Sequence, residues 1–266
     1  MSVLHLAPAA LHISDALELP IRGSNISRLV TPSQTLPACP CCGALALEGL
    51  WRDPFDLEHD CRCFLEQTEH YEAGVQRLWR ARTNRAAYLE SLPKRYQTYT
   101  LEALRSHAGN RDAFEAVQQL ELGSSLYLHG TPGNGKTHLA VALGFRLLEA
   151  GSVTFWNTAR LYAVLRDCVA GNAPKPNLLS PKTLILDDLG KVKASEFVYE
   201  TIYAALEGRW SEGRTTVFTA NHKPGIVADR LTPASLDRES ANAILSRLVA
   251  GRVIEVRGRD EREGRS

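Results

Sequence analysis

The run Gly130-Thr131-Pro132-Gly133-Asn134-Gly135-Lys136-Thr137 sets glycines ahead of one cation and one hydroxyl, and an apolar stretch follows with Leu139, Leu143 and Leu147. Glycines let a backbone approach a polyphosphate and turn its N–H groups inward, where the positive end of a following helix adds to the field. In that context Lys136 reaches the β- and γ-phosphates and Thr137 ligates Mg²⁺, with Gly130 to His138 forming the nucleotide-binding stretch. Farther on, Thr183-Leu-Ile-Leu186 reads as a buried strand that ends on two carboxylates, Asp187 and Asp188. Ligands of parallel sheets bind at that end of a strand. Asp187 is the candidate Mg²⁺ ligand, directly or through its water shell, and Asp188 the candidate to orient or deprotonate an attacking water. Thr216-Val-Phe-Thr219-Ala-Asn221 is a third strand-like run ending on an amide, placed to hold that water between carboxylates and phosphates. The chemistry implied is binding and hydrolysis of ATP with Mg²⁺.

A second constellation lies near the start. Five of the six cysteines fall between positions 39 and 63. Cys39 and Cys42 have the C-x-x-C spacing of a zinc knuckle, and Cys61 and Cys63 supply a second pair, so four thiolates suit tetrahedral Zn²⁺. Cys41 is in excess and His59 competes for a place. In a reducing compartment thiolate ligation is favoured over disulfides. Cys168 is expected to pack in the core of a helix.

These groups need a scaffold. From Leu92 onward short apolar runs alternate with amphipathic stretches, the pattern of a parallel α/β sheet. Strands are predicted at 125–129, 153–156, 183–187, 215–220 and 252–256, with helices over 136–150, 159–170, 196–210 and 239–249. The chain divides into an N-terminal zinc-binding, partner-interacting module at 1–65, a basic helical linker at 66–98, and a nucleotide-binding domain at 99–266. Residues 1–37 show no periodicity. The chain has 266 residues, a net charge of +1 and no apolar run long enough to span a bilayer, which excludes a membrane-embedded class. Without the basic start of a secretory signal, the expected compartment is the cytoplasm. Arg77, Arg80, Arg82, Arg85, Lys94 and Arg95 concentrate positive charge in the linker, where a phosphate backbone or a solvated helix face accounts for it equally well.

Taken together, Leu92-Pro-Lys-Arg-Tyr96-x-x-Tyr99, Leu184-Ile-Leu-Asp-Asp-Leu-Gly190, the stretch Tyr199 to Trp210 and Leu245-Ser-Arg247-Leu resemble the AAA+ domain of helicase loaders of the DnaC and DnaI type and of the related IstB-like transposition helper ATPases. The resemblance covers about residues 92–262. It implies a sensor-1 role for Asn221 and an arginine finger at Arg247 acting on ATP held by a neighbouring copy, hence a head-to-tail assembly. Arg262 resembles the family's late arginine near the nucleotide, although Asp260-Glu-Arg262 stands where Ser-Tyr-Arg is usual. Asp188 stands where many AAA+ proteins carry Glu, which implies slow hydrolysis. Only 45 residues follow Asn221, too few for the helical lid of most AAA+ proteins and in keeping with the lidless loaders. In those loaders a small N-terminal domain grips a hexameric replicative DNA helicase while the ATPase domain binds single-stranded DNA. The implied function is thus ATP-dependent helicase loading, with the transposition helper as the alternative and a non-hydrolysing adaptor or a P-loop kinase third; a kinase would need an acceptor site and an Arg-rich lid that the sequence does not display.

Freshly reduced, purified protein is expected to carry about one zinc per chain, and substituting Cys61 is expected to unfold the N-terminal module while leaving nucleotide binding intact. Metal analysis that finds no zinc in such protein contradicts the four-thiolate site.

Overall fold

Alternation along the strands builds the molecule. In β1 (Leu126–His129), Leu126 and Leu128 join the core on one side and Tyr127 the core on the other. The same switch separates Leu184 and Leu186 from Ile185 in β3 (Thr183–Asp187), and Phe218 from Val217 in β4 (Thr215–Ala220). A strand apolar on both faces has to be covered twice, so helices flank the sheet on each side. The computed structural model describes residues 80–104, 106–148 and 150–258. Cys39, Cys41, Cys42, His59, Cys61 and Cys63 of the expected zinc module, and Arg262, lie outside the described residues.

The sheet has five parallel strands in the order β2-β3-β4-β1-β5, with β2 at Val153–Asn157 and β5 at Arg252–Glu255. One face carries α1 (residues 80–91), α2 (Arg111–Gln119) and α3 (Lys136–Leu147). The other carries α4 (Thr158–Val169), α5 (Glu196–Ser211), α6 (Pro224–Leu231) and α7 (Arg238–Leu248). Polar side chains fix the helix starts: Asn157, Ser195 and Asp237 each accept a first-turn N–H. The order matters for chemistry. Strand β4 lies between β1, which leads into the glycine loop, and β3, which ends on the acid pair.

All five predicted strands are present, and they coincide with the sequence reading to within a residue at each end. Two helices were not anticipated. Strand-to-strand logic passes over α2, whose buried residues are only Ala113, Ala116 and Val117, and α6 begins at Lys223-Pro224-Gly225, which reads as a chain breaker. Proline at the first helical position is instead a good start, because its missing N–H needs no partner there. The chain divides into two units between Thr83 and Asn84. Residues 84–98, assigned from sequence to a linker, belong to the core of the second unit: Tyr88 is fully buried and donates to the Val141 carbonyl at 2.9 Å, and Leu92, Tyr96 and Tyr99 pack beside it. Cys168 is half-exposed rather than in the core, with its thiol donating to the Pro174 carbonyl. No described helix is long and apolar enough to cross a membrane.

Among the described residues, Arg209 in α5 is the largest fully buried side chain. Its guanidinium donates to Thr216 Oγ1 and to the carbonyls of Leu178, Leu179, Pro181, Lys182 and Thr215. Six neutral acceptors replace water around a cation, and burial lowers its pKa to about 10. The contacts staple the approach to β3 onto the start of β4. Arg209→Ala strips all of them at once and is expected to cost roughly 3 kcal/mol or more in urea unfolding, and Arg209→Lys, a point charge without the planar fork, is expected to recover less than half. A loss below about 1 kcal/mol for the alanine variant contradicts the staple.

Candidate functional site

Glycine shapes the loop between β1 and α3. Gly130, Gly133 and Gly135 have φ of 146°, 81° and 87°, conformations that side chains disfavour. A Cβ on Gly130 would come within 2.1 Å of the Val256 carbonyl oxygen. Asn134 Nδ2 donates to that same carbonyl, which anchors the loop to the end of β5. Lys136 is 6% exposed, and its ammonium donates to Gly130 O at 2.9 Å, Thr131 O at 2.7 Å and Asn134 Oδ1 at 2.9 Å. The cation therefore sits inside the curve of the loop, at the start of α3. Phosphate oxygens are stronger partners for an ammonium than carbonyls. Thr131 and Pro132 form the exposed crest of the loop.

One strand away from β1's neighbour β4, the end of β3 presents the acids. Asp187 is 1% exposed. Its Oδ1 accepts from Thr137 Oγ1 and from Thr219 Oγ1, each at 2.7 Å, and Oδ2 from Asn157 Nδ2 at 3.4 Å. Burial pushes this carboxyl above the ordinary carboxylate range, opposed by the hydrogen bonds from Thr137 and Thr219, raised further by the charge of Asp188, and lowered by Asn157. A hydroxyl and a carboxylate already joined at the mouth of the glycine loop are the hard oxygen donors that Mg²⁺ takes, and the ion's remaining positions suit water and phosphate. The site residues fit that ion. Asp188 has φ of 59°, the one left-handed non-glycine among the described residues, a conformation Asp tolerates better than most. The turn carries its side chain out of the strand's alternation, where Oδ2 meets Lys191 Nζ at 3.3 Å on the surface.

Asn221 follows β4 directly and is half-buried. Because Ala220 pairs with His129, Asn221 stands level with Gly130 and between the ends of β1 and β3. His138 turns away from the loop: its ring stacks on Tyr99 at 4.4 Å and Nε2 meets the Thr100 carbonyl at 2.7 Å. At the loop's entry, burial lowers the pKa of His129, Glu255 opposes this, and Lys223 and Lys136 add to the lowering.

Arg247 is not brought to this edge. Its Nε donates to Glu207 Oε2 at 2.6 Å and its guanidinium lies 4.1 Å from the centre of the Trp210 ring. Trp210 lines a cleft with Ser124, Ser125, Gly251 and Arg252, the residues that lead into β1 and β5. In a parallel sheet that is the end opposite the glycine loop.

Three polar residues of the site went unnoticed in the sequence. Asn157 holds Asp187 Oδ2; Thr158 Oγ1 donates to the carbonyls of Asp187 and Asp188 at 3.1 and 2.8 Å; Thr219 bridges the acids. Their signal was positional: Asn157 ends β2, Thr158 follows it directly and Thr219 is next to last in β4, all at the edge where the loop and the acids lie.

Against known proteins, a family model described as IstB-like ATP binding protein matches residues 76–265. A protein described as ATP-binding in an insertion sequence of Mycobacterium tuberculosis is 31% identical over 116 residues, 41% of this chain and 45% of that protein. The replicative helicase loader DnaC of Buchnera aphidicola is 28% identical over 138 residues, 47% of this chain and 54% of the loader. The chain thus spans about half the length of these curated relatives. Among solved structures, the crystal structure of DnaI superposes with a TM-score of 0.55 at 25% identity, covering 62% of this chain and 95% of that one.

The raised pKa of Asp187 carries a sign. The folded protein holds this proton more tightly than the unfolded chain, so ionising Asp187 is a stability cost at neutral pH that fades as pH falls through its folded pKa toward the unfolded value near 4. Asp187→Asn is therefore expected to melt a few degrees higher than the parent at pH 7, with the gain shrinking on acidification, while Mg²⁺-dependent nucleotide binding weakens. A lower melting temperature at pH 7 contradicts the buried-charge assignment.

Proposed function

This chain belongs to the family of IstB-like ATP-binding proteins, and on that premise we propose that it is an ATPase of the AAA+ type that loads a replicative hexameric DNA helicase onto single-stranded DNA. The observation that carries the ATPase reading is the junction of loop and acids: Thr137, at the end of the glycine loop, shares a 2.7 Å hydrogen bond with the buried carboxylate at the end of β3.

In this reading Gly130 to Thr137 wrap the phosphates, Lys136 exchanges its loop acceptors for β- and γ-phosphate oxygens, and Thr137 and Asp187 hold Mg²⁺. The ion, when bound, screens the phosphate charge and favours departure of the γ-phosphoryl group. Asp188 accepts a proton from the attacking water, and Asn221 orients that water between the acids and the phosphates. Arg247 acts on ATP held by a neighbouring copy, which its position at the far end of the sheet from its own loop supports. Such a division needs head-to-tail assembly. Arg262 is the late arginine of the same site.

Helicase loading is supported by the cysteine cluster at 39–63, which suits a small partner-binding zinc module, and by the extent of the DnaI likeness, 95% of that chain. A second reading, helper ATPase of a transposase, is favoured by the insertion-sequence relative at 31% identity. Either role belongs in the cytoplasm.

Lys136→Ala is expected to abolish ATP turnover, and Asp188→Asn to keep nucleotide affinity while slowing hydrolysis by about a hundredfold or more. Unchanged turnover in the lysine variant contradicts the site. Affinity capture from native cells by the Asp188→Asn protein with ATP bound separates the two roles: recovery of a hexameric helicase supports loading, and recovery of a transposase overturns it.

A further inference from the structure

Thr219 sits in the middle of the sheet, 1% exposed, where packing alone would accept valine. Its hydroxyl has one proton to give and lone pairs to receive. The oxygen accepts the backbone N–H of Asp188 at 3.0 Å, and the proton goes to Asp187 Oδ1 at 2.7 Å. The direction is fixed by chemistry, because an amide N–H only donates and an ionised carboxylate only accepts. The Thr219 carbonyl then receives the N–H of Leu189 at 2.8 Å. Three successive residues at the end of β3 are thereby held by one residue of β4. Among them is Asp188, whose left-handed backbone needs its surroundings to keep it there.

We propose that Thr219 is the positioning residue of this site: its hydroxyl orients the Mg²⁺-holding carboxylate of Asp187 and, through the Asp188 N–H, fixes the turn from which the Asp188 carboxylate leaves the strand. Asn221, two residues on, follows the end of β4 directly. One strand therefore sets all three polar groups against the phosphates, so a shift of β4 moves them together. Lys136 donates to Gly130 O, Thr131 O and Asn134 Oδ1 within the glycine loop itself, so grip on the phosphates themselves is expected not to depend on Thr219. The inference rests on the roles of Asp187 and Asp188 given under the proposed function.

Thr219→Val keeps the shape and removes the hydroxyl; Thr219→Ser keeps the hydroxyl and removes the methyl. A fluorescent ATP analogue titrated without metal is expected to bind Thr219→Val as it binds the parent. With Mg²⁺ added, the concentration giving half-maximal enhancement of binding is expected to rise about tenfold, and kcat to fall about tenfold to a hundredfold, the range for losing a hydrogen bond to a charged group. Thr219→Ser is expected to restore both to within about threefold of the parent. Should Thr219→Val fail to fold, Thr219→Ala carries the same measurements. A hydroxyl-free variant with the parent's Mg²⁺ dependence and kcat overturns the proposal, and so does a serine variant that rescues neither. Parent protein that binds Mg²⁺ and the analogue but never hydrolyses ATP overturns the hydrolytic reading alone, and the Mg²⁺ titration then still decides on Thr219.

Discussion

A carboxylate buried at the end of a strand is the constraint on which this molecule turns. Stripping an ion of water costs several kcal/mol unless donors replace the water. Asp187 has three such donors, and they come from three different elements: Thr137 at the start of α3, Thr219 in β4 and Asn157 at the end of β2. Each donor is neutral, so the charge is solvated but not cancelled. It stays available to a cation, at the cost of a carboxyl that burial drives toward its protonated form. The Thr137 bond ties the glycine loop's helix to the sheet, and the other two join the end of β3 to β4 and to β2. Nucleotide chemistry and the integrity of this edge thus share their contacts, an arrangement in which stability is spent on function.

The order of the strands makes that sharing possible. Inserting β4 between β1 and β3 moves the acids one strand away from the glycine loop and fills the gap with a strand whose end carries Thr219 and Asn221. Below, Arg209 clamps the start of β4 to the segment that enters β3. The two strands are therefore pinned at both ends, by an arginine among neutral acceptors at one and by a threonine between two acids at the other. Arg247, stacked on Trp210 and paired with Glu207, is fixed near the pinned lower end. Its guanidinium lies at the end of the sheet opposite the glycine loop, and the proposed trans role rests on that separation.

Much of this was legible in the sequence because the chemistry is written in local spacing. A glycine loop, a lysine and a hydroxyl at consecutive positions need no tertiary information, and both strand ends at Asp187 and Ala220 were read to the residue. What stayed hidden depends on neighbours distant in sequence. Thr219 and Thr158 look like ordinary strand and cap threonines until Asp187 and Asp188 are brought beside them. Arg209 looks like a surface charge on an amphipathic helix until the carbonyls of 178–182 close over it. Residues 84–98 look like a connector because Ser91-Leu-Pro93 breaks the helical pattern, yet Tyr88 and Tyr96 both find the core.

Sharing of one ATP site between two copies is most directly tested by mixing two inactive proteins. Arg247→Ala retains an intact glycine loop and Lys136→Ala an intact finger, so an alternating assembly contains pockets in which every group is present. With single-stranded DNA and saturating ATP, the mixture is expected to hydrolyse ATP well above either variant alone, since an arginine finger is worth roughly a thousandfold or more in rate. A mixture shown to co-assemble that hydrolyses no faster than its components would contradict a site built from two copies.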